Sequence, residues 1–202
     1  MFHVKHEGWD LAEVVGAGLD TATIARLERF EGLLRDQAVP MGMVSASDAA
    51  RLRERHIVDS LRALPHLPES GSVCDLGSGA GFPGLVLAIT RPDLRFVLVE
   101  VRRNRAAFLQ RAAGDLANVT VYARRLETFR AQRVDACTAR AFGPPAKSWE
   151  AAARILEPRG RLLYWAGASY DRGSDLPDGV AATHFTTSAL ARSGPLVIMA
   201  RQ

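Results

Sequence analysis

Gly77, Gly79, Gly81 and Gly84 punctuate the stretch CDLGSGAGFPG. A glycine inside an element costs roughly 0.5–1 kcal/mol relative to alanine, so this much bare backbone needs a reason. In a strand–turn–helix, the natural reason is close approach of a ligand to the main chain. Glu100 closes the next apolar run, FVLVEV, about 20 residues further on, where a carboxylate can accept both hydroxyls of a ribose. Alone, Glu100 would read as a surface acid at a strand end. Glycine turn and acid together predict a nucleotide-like cofactor.

The spacing narrows the choice. A dinucleotide fingerprint, G-x-G-x-x-G, would need its third glycine at residue 82, where Phe82 stands. Asp75-x-Gly77-x-Gly79-x-Gly81 has instead the spacing used by S-adenosylmethionine-dependent methyltransferases. That cofactor has no pyrophosphate; its amino-acid tail, ribose and adenine lie across the turn. Further along, Leu126 and Glu127 in RRLET fall where this fold brackets an adenine, although an ordinary loop leading into a helix would carry the same residues.

The elements that must position these residues follow from periodicity. SVCDLG reads as a buried strand, and RFVLVEV, VTVYA, VDACTARAF and GRLLYWAG as four further strands. GLVLAITR, RNRAAFLQRAAGDL and SWEAAARIL read as the helices between them, and GVAATHFTT with GPLVIMARQ as a terminal hairpin. Such alternation predicts an α/β, Rossmann-like doubly wound sheet that is mostly parallel. Ahead of it, residues 9–35 carry apolar positions at helical spacing, suggesting two helices joined near GAGLD with Asp20 or Thr21 capping the second. A further helix, ARLRERHIVDSLRAL, is expected to start at Ser45 or Ser47. Residues 1–68 are thus expected to form a helical extension and 69–202 the core. The polar stretch 167–179 is expected to be a long loop.

These residues resemble a known family. RHIVDSL, CDLGSGAGFPGLVLAI, RPDLRFVLVEVRRNRAAFL, RLE and ARAF together are similar to the RsmG family, also called glucose-inhibited division protein B, over about residues 40–165. The resemblance implies a class I S-adenosylmethionine-dependent methyltransferase acting on N7 of one guanine in 16S rRNA. It implies cofactor contacts at Gly77, Phe82, Leu126, Glu127 and Arg140, with S-adenosylhomocysteine as product. Members often carry Asn-Leu-Thr before the RH…DS helix, where this chain has MGMVS, a version that resembles actinobacterial members. Many carry Lys-Gly after the fifth strand, where Ala166-Gly167 stands here.

The chemistry so implied needs no general base, because guanine N7 already exposes a lone pair. The missing catalytic dyad therefore fits. Arg140 is the expected catalytic clamp, holding a base edge, a phosphate or the cofactor, although a strand-end arginine reaching to solvent would look alike. Phe142 offers a stacking face or a core side chain. His56, Asp59 and Ser60 share one helix face and read as an anchor between the extension and the sheet.

Charge fits a polyanionic partner without requiring one: the net charge is +4, and Lys5 and Lys147 are the only lysines among 26 basic residues. Part of that arginine bias can come from a GC-rich genome. Arg102, Arg103, Arg105, Arg124 and Arg125, with Arg51, Arg53 and Arg55, are the candidate phosphate contacts. Ribosomal RNA, free or in the 30S subunit or a precursor, is the expected partner. The two histidines of HVKH have no further ligands, so no metal is expected. Cys74 and Cys137 read as buried free thiols of a reduced compartment, and with no apolar run of membrane length the chain is expected to be a cytoplasmic monomer. Other readings stand beside this one. A methyltransferase for a small molecule or protein would call for an apolar lid. A nicotinamide-dependent oxidoreductase is opposed by Phe82, and a non-enzymatic RNA-binding protein has no use for an intact glycine turn.

Overall fold

The computed structural model describes residues 18–129, 133–167, 170–171, 176–187, 190 and 193–202. The expected first helix around Leu11 to Val15, the HVKH histidines and much of the 167–179 stretch lie outside the described residues.

Among the described residues seven strands form one sheet: β1 (Ser72–Leu76), β2 (Arg95–Val99), β3 (Val119–Tyr122), β4 (Val134–Arg140), β5 (Leu156–Trp165), β6 (Val180–Phe185) and β7 (Leu196–Arg201). Their order is β3-β2-β1-β4-β5-β7-β6, with β1 to β5 parallel and β7 antiparallel to both β5 and β6. Successive strands step one way from β1 to β3 and then jump to the far side of β1 with β4. The reversal opens a crevice at the carboxyl ends of β1 and β4, where open α/β sheets bind ligands.

Burial on both faces explains the continuous apolar runs. Along β1, Cys74 and Leu76 join a core with Val99, Cys137 and Trp149, whereas Val73 joins the opposite core with Phe96, Leu98 and Phe108. Both cysteines are free and buried. The helices after β1, β2 and β4 are Gly84–Thr90, Arg103–Ala113 and Pro145–Ala153. The last starts and ends three residues earlier than the apolar spacing suggested. It stops before Ile155, and β5 already begins at Leu156, pairing with Val134 across a register shift.

The N-terminal segment packs on the helix Gly84–Thr90, and Leu27, Phe30, Leu52 and Ile57 join the same core as Val73. Its first described helix, Thr21–Leu33, is capped by Asp20, whose Oδ1 accepts from the Thr23 amide at 2.8 Å. Ser45 caps the next, Ala46–Ala49, accepting from the Asp48 amide at 3.1 Å. Periodicity suggested one helix from there to Leu64. The structure instead has a π-helical turn, Arg53–Val58, before the short α-helix Asp59–Leu61. The fully buried Leu52 and Ile57 are five residues apart, a spacing that faces one side only in i→i+5 geometry.

Candidate functional site

Asp75 organises the turn. Fully buried near the end of β1, it accepts from the Thr138 hydroxyl on β4 at 2.7 Å and from the Gly84 amide at 3.2 Å. It thereby clamps two strands and the start of the following helix. Burial pushes its carboxyl up to about 6, against the pull of these donors. Gly84 has no room for a side chain, since a Cβ would come within 2.5 Å of both Asp75 and Leu98. Gly77 is constrained differently. Its φ is +68°, and a Cβ would meet the Phe142 ring at 2.9 Å. The bare surface over Gly77 is thus bordered by an aromatic face.

Glu100, just past β2, reaches back across the crevice. Its Oε2 accepts from the Gly79 amide at 3.0 Å and its Oε1 from the Arg102 amide at 2.8 Å. Each oxygen keeps a second lone pair, and the carboxylate is tied to the turn that it must serve. Beside it Val101 is 52% exposed, an apolar side chain at a strand's carboxyl end that sequence reading passed over. Across from it, Leu126 is half-buried and Glu127 exposed in the short helical turn Leu126–Thr128, held by the Tyr122 hydroxyl donating to the Thr128 carbonyl at 2.8 Å.

Arg140 ends β4 and turns toward the N-terminal helices. Its Nη2 donates to the Arg55 carbonyl at 2.7 Å and stands 3.5 Å from Asp59 Oδ2, while Nη1 is buried without a hydrogen-bond partner. Asp59 is fixed in turn. Its carboxylate accepts from Arg62 at 2.9 Å and its carbonyl from the Trp165 indole at 3.0 Å. Ala141 follows at φ +52°, a conformation disfavoured for a residue with a Cβ, and delivers Phe142 to the mouth of the turn with 38% of its surface exposed. Phe142 is therefore not a core residue.

His56 proves to be part of this site. Its imidazole stacks on Phe82, centroids 4.7 Å apart and planes 15° apart. Both ring nitrogens are buried without a hydrogen bond, and the nearest carboxylate, Asp48, is 3.8 Å from Nε2. Burial first, then the Arg140 charge, pushes its pKa down to about 4. The RHIVDSL spacing put His56, Asp59 and Ser60 on one helix face. What spacing could not show is that the ring meets the glycine turn.

The arginines divide into two sets. Arg51 pairs with Glu54, Arg53 with Glu31 at 2.7 Å and Arg55 with Asp48 at 2.9 Å, so these three are neutralised within the extension. Among the described residues, Arg102, Arg103, Arg105, Arg124 and Arg125 make no ion pair, and all but the half-buried Arg105 are exposed. Arg102, Arg103 and Arg105 share the rim with Glu100. A cavity of about 420 Å³ lies at the opposite edge of the sheet, lined by Ser72, Arg95, Asn118 and Arg133 at the amino ends of strands, away from the turn.

Solved structures share the fold: a SAM-dependent methyltransferase from Aquifex aeolicus superposes with TM-score 0.54 at 15% identity, covering 77% of this chain and 98% of that one. TrmN from Thermus thermophilus superposes with TM-score 0.54 at 18% identity, covering 72% and 49%. Closer in sequence, the ribosomal RNA small subunit methyltransferase G of Acidiphilium cryptum is 42% identical over 74% of this chain and 69% of its own length. That of Gluconobacter oxydans is 38% identical over 86% and 89%. The family model for rRNA small subunit methyltransferase G (GidB) matches residues 23–183, and the chain belongs to that family.

Proposed function

We propose that this protein transfers a methyl group from S-adenosylmethionine to N7 of a guanine in 16S rRNA. The observation that carries the reading is the built cofactor cradle: bare backbone at Gly77, bordered by Phe142 and tied through the Gly79 amide to Glu100. In this reading Gly77, Gly79, Gly81 and Phe82 line the turn under the amino-acid tail and ribose. Glu100 accepts the ribose hydroxyls on its free lone pairs, and Leu126, Glu127 and Val101 border the adenine. When bound, the cofactor supplies an electrophilic methyl on a sulfonium centre.

Every other task falls to the chain. N7 brings its own lone pair and loses no proton, so the residues position and exclude water; effective molarity supplies most of the acceleration. Positive charge passes to the purine, and the buried Asp59 carboxylate behind Arg140 keeps that end of the site from becoming uniformly cationic. Arg140 stands at the junction of cofactor and substrate and serves as the catalytic clamp. Arg102, Arg103, Arg105, Arg124 and Arg125 hold RNA phosphates along the rim. Residues 1–68 serve as a helical extension to the 69–202 core, and the protein works as a cytoplasmic monomer on the 30S subunit or its precursor. No helix among the described residues is long and apolar enough to cross a membrane.

The test is methyl transfer from labelled S-adenosylmethionine to 30S subunits and to naked rRNA lacking N7 methylation, followed by nucleoside analysis. N7-methylguanosine at one position is expected. Cofactor binding without methylation of either RNA would overturn the RNA assignment and leave a methyltransferase of another substrate.

A further inference from the structure

Buried polar groups in native proteins are nearly always hydrogen-bonded, and those that are not call for an explanation. In this chain His56 Nδ1, His56 Nε2 and Arg140 Nη1 are such groups. They come from elements far apart in sequence, the π-helical turn and the end of β4; the His56 ring lies on Phe82 of the glycine turn, and Arg140 is near enough for its charge to act on that ring. Both side chains are held in place. Stacking on Phe82 fixes the imidazole plane, and the Arg55 carbonyl with Asp59 fixes the other guanidinium nitrogen.

The surrounding charges assign the donor and acceptor roles. Asp48 beside Nε2 favours the proton there, which leaves Nδ1 of the neutral ring as the acceptor. Arg140 Nη1 can only donate. One buried donor, at the end of β4, and one buried acceptor, on the ring stacked on Phe82, therefore lie near the glycine turn. A guanine offers the complement on adjacent atoms, O6 as acceptor and N1–H as donor; adenine offers the reverse, an amino donor at C6 and N1 as acceptor. N7 lies beyond O6 and stays free.

We propose that His56 and Arg140 read the target guanine, Arg140 Nη1 donating to O6 and His56 Nδ1 accepting from N1–H. This inference rests on the proposed guanine-N7 activity and adds a residue, His56, that selects the base. As N7 acquires the methyl group the purine becomes cationic and N1–H a stronger donor, so the contact tightens toward the transition state. The three atoms are closed from water. Their cover must shift to admit the base, and a dry seat lets a single mispaired group discriminate strongly.

His56→Phe tests this, because the ring keeps its stack on Phe82 and loses only its nitrogens. Binding of S-adenosylhomocysteine is measured by calorimetry, and methylation of 30S subunits is followed at saturating S-adenosylmethionine. The expected result is unchanged cofactor affinity and kcat/KM for RNA lowered about ten- to hundredfold. His56→Asn, which keeps an acceptor near the Nδ1 position, should recover part of that loss. Weakened cofactor binding with unaltered RNA kinetics would place His56 on the cofactor instead and overturn the proposal, as would a fully active His56→Phe. Wild-type protein that binds cofactor but makes no N7-methylguanosine would overturn the parent activity, a result distinct from either.

Discussion

His56→Phe also makes a stability prediction that is independent of any ligand. Above pH 6.5 the imidazole is neutral in both folded and unfolded chains, and the folded chain bears two buried ring nitrogens with no partner. Phenylalanine keeps the stack without them, so the variant should be more stable than wild type by about 1 kcal/mol or more near pH 7.5. Acid widens the gap. Burial and the Arg140 charge, with Arg55, outweigh the facing Asp48 and Asp59 carboxylates and push His56 from 6.5 down to about 4. As the pH falls through that window the unfolded chain takes up a proton that the folded chain refuses, so wild type loses stability, up to about 3 kcal/mol by pH 4. Asp75 works in the opposite sense. Its folded pKa is raised to about 6 by burial, with Glu100 adding to the rise, so the folded chain binds the proton first and gains stability between pH 6 and 3.8, again by about 3 kcal/mol. In wild type the two trends offset each other; in His56→Phe only the Asp75 gain remains. Urea denaturation of both proteins between about pH 7.5 and 4.5 reads the difference directly, because every other group is common to both. A difference that stays constant across that range would refute the argument that His56 is held neutral by burial and Arg140. A variant less stable than wild type at every pH would show that the nitrogens are satisfied in solution.

Three further outcomes follow from the site. Glu100→Gln turns one oxygen into an amide that opposes either the Gly79 or the Arg102 amide, so S-adenosylhomocysteine affinity measured by calorimetry should fall at least about tenfold, with the melting temperature lowered by a few degrees. Unchanged affinity would remove Glu100 from the cofactor site. Replacing Arg102, Arg103 and Arg105 together by serine should leave cofactor affinity intact and flatten the salt dependence of RNA binding, lowering the slope of log K against log salt by about 2 to 3; an unaltered slope would show that this rim does not meet phosphate. Arg62→Ala strips the buried Asp59 of its 2.9 Å partner and frees the Gly194 and Phe185 carbonyls, so denaturant unfolding should show a loss of about 3 to 5 kcal/mol. A loss under about 1 kcal/mol would mean that Arg140 alone compensates the carboxylate.

Sequence reading recovered what local chemistry dictates. The glycine turn was legible because only glycine tolerates φ +68° under Phe142 and the approach of Asp75 to Gly84, and Glu100 because it ends a strand at a fixed offset from that turn. The inner strands were legible because both faces of the sheet are buried there, whereas β3 and β6 are only partly covered. The π-helical turn was not, because it answers to where Leu52 and Ile57 must point in a core assembled from distant segments. The same limit applies to the arginines. Composition shows an excess of them, but Arg51, Arg53 and Arg55 differ from Arg102 and Arg103 in having a carboxylate within reach, and for Arg53 that carboxylate is Glu31, 22 residues away in sequence. It applies most sharply to His56 and Arg140. A motif identifies positions that must be bare, acidic or basic. Which polar atom is left without a partner depends on how an N-terminal turn, a glycine loop and a strand end meet, and in this chain that meeting leaves nitrogens of His56 and Arg140 buried with none.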